Sequence, residues 1–440
     1  MEITLQQILE VREQRSRRQM QLIREFGRPL VSFSMNIPGP VKDSPIIRRG
    51  FRAGCKALEA QLPADMLLHR EISEAATGCE AFYVVDMDPL ALKARTAAIE
   101  DHHPLGRLLD LDVIGPDLCK LDREAVGGGS RNCLVCGAPG RGCASRRLHT
   151  VAQLQGAVSR ILDGYFLRED ARFLADLAVR SLLDEVETTP KPGLVDRRNS
   201  GSHRDMDIST FRTSAASLGP YFHRCAAIGM ETREETAEAT FPLLRQAGLE
   251  AEQVMYRATK GINTHKGAIF TMGLLCGAAG RLWNGEGTWD PEALCREVSA
   301  MTAKAMEEDR KKPGNTAGAR LYAQLGIRGI RGEAAMGLPS VSRLGLPLYR
   351  QLRAGGMNQN EAGVRTLLQL IARVEDTNMI ARGGLSGAKA GAAACAELLA
   401  REYTLADVEA LDDWFIAQNL SPGGCADLLA AIYFLYGLIS

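Results

Sequence analysis

Apolar residues return at helical spacing from Leu5 to Phe26, and charged residues fill the intervening positions, which predicts one long amphipathic helix. Pro29 to Met35 (PLVSFSM) reads as a strand that runs into the loop NIPGPVKDSP, and Ile46 to Gln61 reads as a helix. Ala81 to Met87 (AFYVVDM) and Arg107 to Ile114 (RLLDLDVI) read as two further strands, separated by a helix over Pro89 to Glu100. Helices and strands in alternation predict an α/β or α+β layer structure for the first part of the chain. From about Leu167 the texture changes. Helical periods follow at Ala171 to Val186, Thr210 to Ala227, Glu234 to Gln246, Leu249 to Thr259, Lys266 to Arg281 and Pro291 to Ala305. They continue at Asn360 to Val374, Ser386 to Leu399, Leu405 to Ala417 and Gly423 to Leu438, so the second part is expected to be all-α. The turn signal Asp163-Gly164, within the stretch Gly156 to Glu169, sets the expected domains at 1–163 and 164–440.

Composition narrows the function. A chain of 440 residues is too long for a single core. A formal net charge of zero supplies no basic field for nucleic acid. No apolar run has the length of a bilayer span and the polar N-terminus is no secretory signal, so no membrane partner is expected. Eleven cysteines without a leader point to reduced thiols and a cytoplasmic protein. Aromatic residues are scarce while alanine and glycine are plentiful, a composition suited to close helix packing.

The tract Glu185 to Asp207 (EVETTPKPGLVDRRNSGSHRDMD) has neither helical nor strand periodicity, and its prolines and glycines make it a loop. Cations beside carboxylates in such a loop suit a polyanionic, metal-bound substrate such as a nucleoside triphosphate; the plain alternative is a solvated linker. In RLLDLDVI, Asp110 and Asp112 stand two residues apart and share one sheet face, a natural Mg²⁺ site for phosphoryl or nucleotidyl transfer; the alternative is an ordinary polar edge. Lys42 and Arg107 supply cations for a pyrophosphate leaving group. Cys133-x2-Cys136-x6-Cys143, followed by His149, resembles a Cys3His zinc site, against free thiols in a loop. Further polar clusters are GINTHKG with His265 and Lys266, the stretch with NTAGARLY and GIRGIRGE that carries Arg328, Arg331 and Glu333, Asp376-Thr377-Asn378, and SPGGCAD ending at Asp427. Glycine-rich helix starts often serve only as caps, but together these clusters describe a pocket of acids, arginines and helix N-termini.

The motifs TPKPGLVDRRNSGSHRDMD, GINTHKGAIF, GIRGEAAMGLP, DTNMIARGG and SPGGCADLLA resemble those of the triphosphoribosyl-dephospho-CoA synthases. SMNIPGPVKDSP, HHPLGRLLDLDVI and RNCLVCGAPGRGCASRRLH are similar to those of the apo-citrate lyase phosphoribosyl-dephospho-CoA transferases, the holo-acyl-carrier-protein synthases of citrate lyase. The chain thus looks like a fusion of two consecutive enzymes, a nucleotidyltransferase-type α/β domain followed by an all-α domain. The resemblance implies that ATP and 3′-dephospho-CoA give a triphosphoribosyl adduct and free adenine. It further implies that a serine of the apo-acyl carrier (γ) subunit of citrate lyase then takes the adduct and releases pyrophosphate. On chemistry and placement, Glu185, Asp196, Asp205, Asp207 and Glu333 are the acids for the anomeric displacement, with His203 as the proton donor to adenine. Lys191, Lys266, Arg197 and Arg331 would hold the triphosphate, with Asn199, His265, Asp376, Asn378 and Asp427 as further ligands. Asp110 and Asp112 would carry Mg²⁺ in the transferase, with Asn36, Lys42 and Arg107 as its ligands. The competing readings are the same chemistry serving malonate decarboxylase, an ATP- and CoA-sensing regulatory protein without turnover, and a zinc-dependent interaction module.

Overall fold

A computed structural model describes residues 3–310 and 326–439, and the motif NTAGARLY lies outside them. The chain divides into two compact units, Met1–Leu167 and Arg168–Ser440. In the first unit, α1 (Leu5–Phe26) starts at a Thr4/Gln7 capping box and stops at Gly27, which takes a left-handed conformation (φ 63°). Its buried face, Leu22 and Ile23, packs with Leu30, Phe82 and Val84 of the sheet. The sheet has four antiparallel strands in the order β2-β3-β1-β4, formed by β1 (Leu30–Met35), β2 (Leu67–Ala75), β3 (Gly78–Val85) and β4 (Leu109–Ile114). Three strands match the sequence expectation within a few residues. β2 was not anticipated, since the edge sequence LLHREISEA is rich in charge and buries none of its residues fully. The helices α2 (Pro45–Glu59) and α3 (Pro89–His102) complete the α+β arrangement, with α4 (Gly140–Ser145) following.

Asp163 and Gly164 form no turn. They lie inside α5 (Val151–Glu187), where neighbours of strong helical pattern outweigh a dipeptide signal. The regular elements among the described residues of the second unit are all helices. α6 (Ile208–Ser217) and α7 (Gly219–Glu231) replace one expected helix, because Pro220 cannot continue a helix but starts one well. α8 (Ala237–Ala258) runs through the expected gap at Gly248, since Leu244, Ala251 and Met255 keep one continuous buried stripe. α9 (Lys266–Arg281) is buried along almost all its length. Glycines of α7 and α9 let the two helices approach backbone to backbone: an added Cβ on Gly229 of α7 would stand 2.0 Å from the Gly277 carbonyl oxygen, and one on Gly280 of α9 2.1 Å from that of Ala226. α10 (Pro291–Arg310), α11 (Gly329–Ala335), α12 (Leu346–Ala354) and α13 (Gln359–Arg373) follow. α14 (Thr377–Leu399), α15 (Leu405–Ala417) and α16 (Gly423–Gly437) close the unit. α14 begins nine residues before the expected Ser386, across a kink at Gly384 (φ 69°, ψ 177°) that a non-glycine residue would resist. Among the described residues no helix is long and apolar enough to cross a membrane.

Two candidate active sites

In the first unit, β4 alternates buried and half-buried positions, so Leu109, Leu111 and Val113 enter the core while Asp110 and Asp112 face a cavity of about 700 Å³. Ser34 and Ser32 of β1 stand opposite them in register. Asp112 Oδ2 lies 2.7 Å from Lys120 Nζ, and Asp110 Oδ1 lies 3.8 Å from Arg131 Nη1. Burial against the cavity wall pushes the Asp110 carboxyl above the ordinary range, and the charge of Asp112 adds to the shift. Behind them Glu100 accepts from the Leu111 amide at 2.9 Å and lies 3.3 Å from Arg123 and 3.6 Å from Arg131. Asn36 and Arg107 line the same cavity, and Arg107 donates to the Asn132 carbonyl. Lys42 does not line it: its ammonium donates to the Ile37 carbonyl, and burial lowers its pKa. Lys120, Arg123 and Arg131 were not singled out from the sequence, because no motif joins them to the two aspartates. Cys133, Cys136, Cys143 and His149 offer ligand atoms that all lie within 4.8 Å of one another.

The second unit holds a cavity of about 1000 Å³. The N-terminal residues of α9, α14 and α16, namely Lys266, Thr377 and Gly423, line it together, so three helix starts converge on one space, where Asp376 and Asp427 accept from several of their first-turn amides. Of the residues expected there, Glu185, Lys191, His203, Asp205, His265, Lys266, Glu333, Asp376, Asn378 and Asp427 are brought together. Some of these groups are already engaged within the protein. Lys191 is fully buried and its Nζ donates to Glu185 Oε1 at 2.5 Å and to the Glu185 carbonyl at 2.8 Å. Lys266 donates to Glu252 at 2.7 Å, and Glu333 accepts from the hydroxyl and the amide of Ser340 at 2.7 and 3.0 Å.

The proton equilibria differ sharply across this cavity. Burial, with Arg382 nearby, lowers the pKa of His203, whose Nε2 lies 2.9 Å from Ser421 Oγ. Burial holds His265 down to about 3; its Nδ1 contacts Ser214 Oγ at 2.8 Å, and its Nε2 is buried without a hydrogen-bond partner. Asp427 moves the other way. Burial, then the charges of Glu185 and Asp376, push its carboxyl far above the ordinary range, although the Ala268 amide donates to it. Gly267 makes room for it, since an added Cβ would stand 1.9 Å from Asp427 Oδ2.

Five residues expected at this site lie outside this cavity. Asp196 is buried as the organiser of its own loop, accepting from the amides of Lys191, Arg198 and Asn199 at 2.8, 2.7 and 3.1 Å. Asn199 donates to Asp412 at 2.7 Å, and Asp207 is the exposed N-cap of α6, accepting from Thr210. Arg197 is exposed beside Thr189 and Asn360. Arg331 lines a separate small cavity beside Glu252 and Tyr221. Conversely, Arg328, Arg373 and Arg382 do line the large cavity. Arg328 and Arg382 stand in glycine-rich clusters that the sequence marks out but to which it assigns no role at these residues, whereas Arg373 sits in no motif.

Comparison with known proteins agrees with this division. Residues 3–165 match the family CitX, apo-citrate lyase phosphoribosyl-dephospho-CoA transferase, and residues 171–440 match CitG, ATP:dephospho-CoA triphosphoribosyl transferase. Protein CitXG of Haemophilus influenzae is 33% identical over 98% of this chain and 96% of its own length. Protein CitXG of Leuconostoc mesenteroides is 32% identical over 99% and 97%. The 2-(5''-triphosphoribosyl)-3'-dephosphocoenzyme-A synthase of Pectobacterium atrosepticum is 40% identical over 64% of this chain and 95% of its own. Two sites in two units, each matched by its own family in the same order as in full-length relatives, place the chain in the CitXG family, in which a CitX unit precedes a CitG unit.

Proposed function

We infer that the chain makes and attaches the prosthetic group of citrate lyase. In the helical unit a ribose hydroxyl of 3′-dephospho-CoA attacks the anomeric carbon of ATP's ribose; the glycosidic bond breaks, and adenine leaves with a proton. The observation that carries this reading is the large cavity itself, where three helix N-termini and five cations face a carboxyl group that burial drives toward its protonated form. Helix N-termini with Lys266, Arg328, Arg373 and Arg382 suit the triphosphate. Glu185, Asp205 and Glu333 suit the positive charge that develops on the sugar. Asp427 fits the proton donor to adenine better than His203, because burial disfavours the charged form of that imidazole. Lys191 and Asp196 are read as positioning residues that fix the loop, in keeping with their internal partners.

In the N-terminal unit a carrier serine would attack the innermost phosphate and pyrophosphate would leave. The paired Asp110 and Asp112 beside Lys120, Arg107 and Arg131 support a nucleotidyltransferase-type site. The two carboxylates would hold Mg²⁺, which supplies charge neutralisation at the phosphates. The carrier is read as the γ subunit of citrate lyase and the compartment as the cytoplasm, where ATP and dephospho-CoA are found.

Mass spectrometry of the full chain with ATP, Mg²⁺ and 3′-dephospho-CoA, with and without apo-carrier, tests both halves. Free adenine and a triphosphoribosyl adduct are expected first, then a carrier heavier by the phosphoribosyl-dephospho-CoA group. Absence of adenine overturns the first assignment. Adenine release without carrier modification overturns the second, and the apo-carrier of malonate decarboxylase then becomes the next acceptor to try.

A further inference from the structure

The loop between β4 and α5 folds around sulfur rather than around an apolar core. Cys133 and Cys136 flank a tight turn: the Gly137 amide donates to the Cys133 carbonyl at 3.1 Å, and the Val135 amide donates to Cys133 Sγ at 3.4 Å. Gly137, directly after the second cysteine, takes a positive φ of 73°, and the Asn132–Pro139 bridge closes the turn as a miniature hairpin. Amides aimed at a cysteine sulfur, with a left-handed glycine after Cys-x-x-Cys, shape a backbone that presents two thiolates to one point. Cys143, buried in α4, and His149 come from the other side.

The distances choose between chemistries. All four ligand atoms lie within 4.8 Å of one another, and Cys136 Sγ is 3.4 Å from Cys143 Sγ. A disulfide needs about 2.0 Å, whereas two thiolates on one tetrahedral zinc, each about 2.3 Å from it, stand about 3.8 Å apart. A second and independent observation is His149 Nε2, which is buried and has no hydrogen-bond partner. Such an orphan costs free energy unless something occupies its lone pair.

We propose that Cys133, Cys136, Cys143 and His149 bind one structural zinc ion in a closed S₃N tetrahedron. Three thiolates and one imidazole favour zinc over the oxygen-seeking Mg²⁺. The proposal does not depend on the function inferred above, yet it bears on the N-terminal cavity. The clamped turn carries Arg131, which reaches Asp110, and the Asn132 carbonyl, which receives Arg107. The Gly140 amide ties the far end back to the Arg131 carbonyl at 2.9 Å, so the metal would brace the cationic wall opposite the two aspartates.

The test is elemental analysis of the full-length protein purified without chelator, followed by Co²⁺ exchange. One zinc per chain is expected, and the cobalt form should show thiolate charge-transfer bands with the intense visible bands of tetrahedral Co²⁺. Stripping the metal should expose three further thiols to a chromogenic thiol reagent. Cys143→Ser should lower zinc retention by more than about tenfold, while an unchanged far-ultraviolet circular dichroism spectrum of the full chain reports that this variant has folded. A chain that carries no zinc and takes up no Co²⁺ under reducing conditions overturns the proposal, as does a Cys143→Ser variant that retains full zinc.

Discussion

Asp376 holds the start of α14 to the start of α16: its Oδ1 accepts from the amides of Asn378 and Met379 at 2.8 and 3.0 Å, while its Oδ2 accepts from the Cys425 amide at 2.8 Å. One buried carboxylate thus caps its own helix and fixes a second one 49 residues away. Burial raises its pKa even against these three donors. Asp376→Ala should destabilise the chain by about 2–4 kcal/mol, since a cap is lost and a buried amide is orphaned. Chemical denaturation monitored by circular dichroism measures this, and an unchanged midpoint contradicts the clamp.

Gly267 and Asp427 offer a separation of stability from activity. In the first turn of α9 alanine is intrinsically favoured over glycine by about 1 kcal/mol, yet its Cβ would collide with the Asp427 carboxylate. Gly267→Ala is expected to fold well and to release adenine about a hundredfold more slowly, as misplacing a reacting group by an ångström does. A variant with unchanged adenine release would remove Asp427 from the reaction.

The protonation pattern predicts the pH dependence of the first step. Because His203 is lowered from its usual value, its titration falls below neutrality and adenine release should show no limb near the ordinary histidine pKa of about 6.5. Asp427 is raised, so the acid form required for donation survives to higher pH than in an ordinary aspartate. The rate should therefore fall on the alkaline side, and Asp427→Asn should abolish that limb and cost about 10²–10⁴-fold. A stopped-time assay of adenine across pH 5 to 9 distinguishes the two residues.

Asp110 carries a related prediction for stability. Its folded pKa is raised above the unfolded value, so its contribution to stability is present below about pH 4 and is lost as pH rises through the folded value. At neutral pH the ionised carboxyl therefore opposes folding, weakly because half of it meets solvent. Asp110→Asn should leave the melting temperature equal or slightly higher, reduce carrier modification at least about a hundredfold, and spare adenine release. Full carrier modification by this variant removes the metal-site reading.

Lys191 and Glu185 test whether a cation suited by charge to phosphate is instead part of the frame. Lys191→Met alone leaves a buried carboxylate unpaired and should cost about 3–5 kcal/mol. The double change with Glu185→Leu should recover much of that loss. Equal stability of the single variant and the parent would return Lys191 to the list of triphosphate ligands.

Much of this was legible along the chain. The bounds of α1, α9 and α15 coincide with the apolar periodicity, because each has a cap or a polar break at both ends. The alternation in RLLDLDVI placed Asp110 and Asp112 on one face for the same local reason. What the sequence hid depends on contacts far apart in the chain. Lys42 and Arg331 carry the right charge and stand in glycine- or proline-rich stretches, yet one is spent on the Ile37 carbonyl and the other faces a different hollow. Asp207 has the look of a catalytic acid, but a carboxylate three residues before a threonine at a helix start equally makes a capping box. The raised pKa of Asp427 comes first from burial and then from the charges of Glu185 and Asp376, neither of which is near it in sequence.

The meeting of α9, α14 and α16 at one cavity has a mechanical consequence. Asp376 and Asp427 occupy several amides of these helix starts, while Arg328, Arg373 and Arg382 stand around the same hollow, and like charges repel. A polyphosphate entering there draws guanidinium groups from separate helices and loops onto one anion, so substrate ties the helical frame together as well as reacting within it. Inorganic triphosphate alone, with no ribose to react, should accordingly raise the melting temperature of this unit.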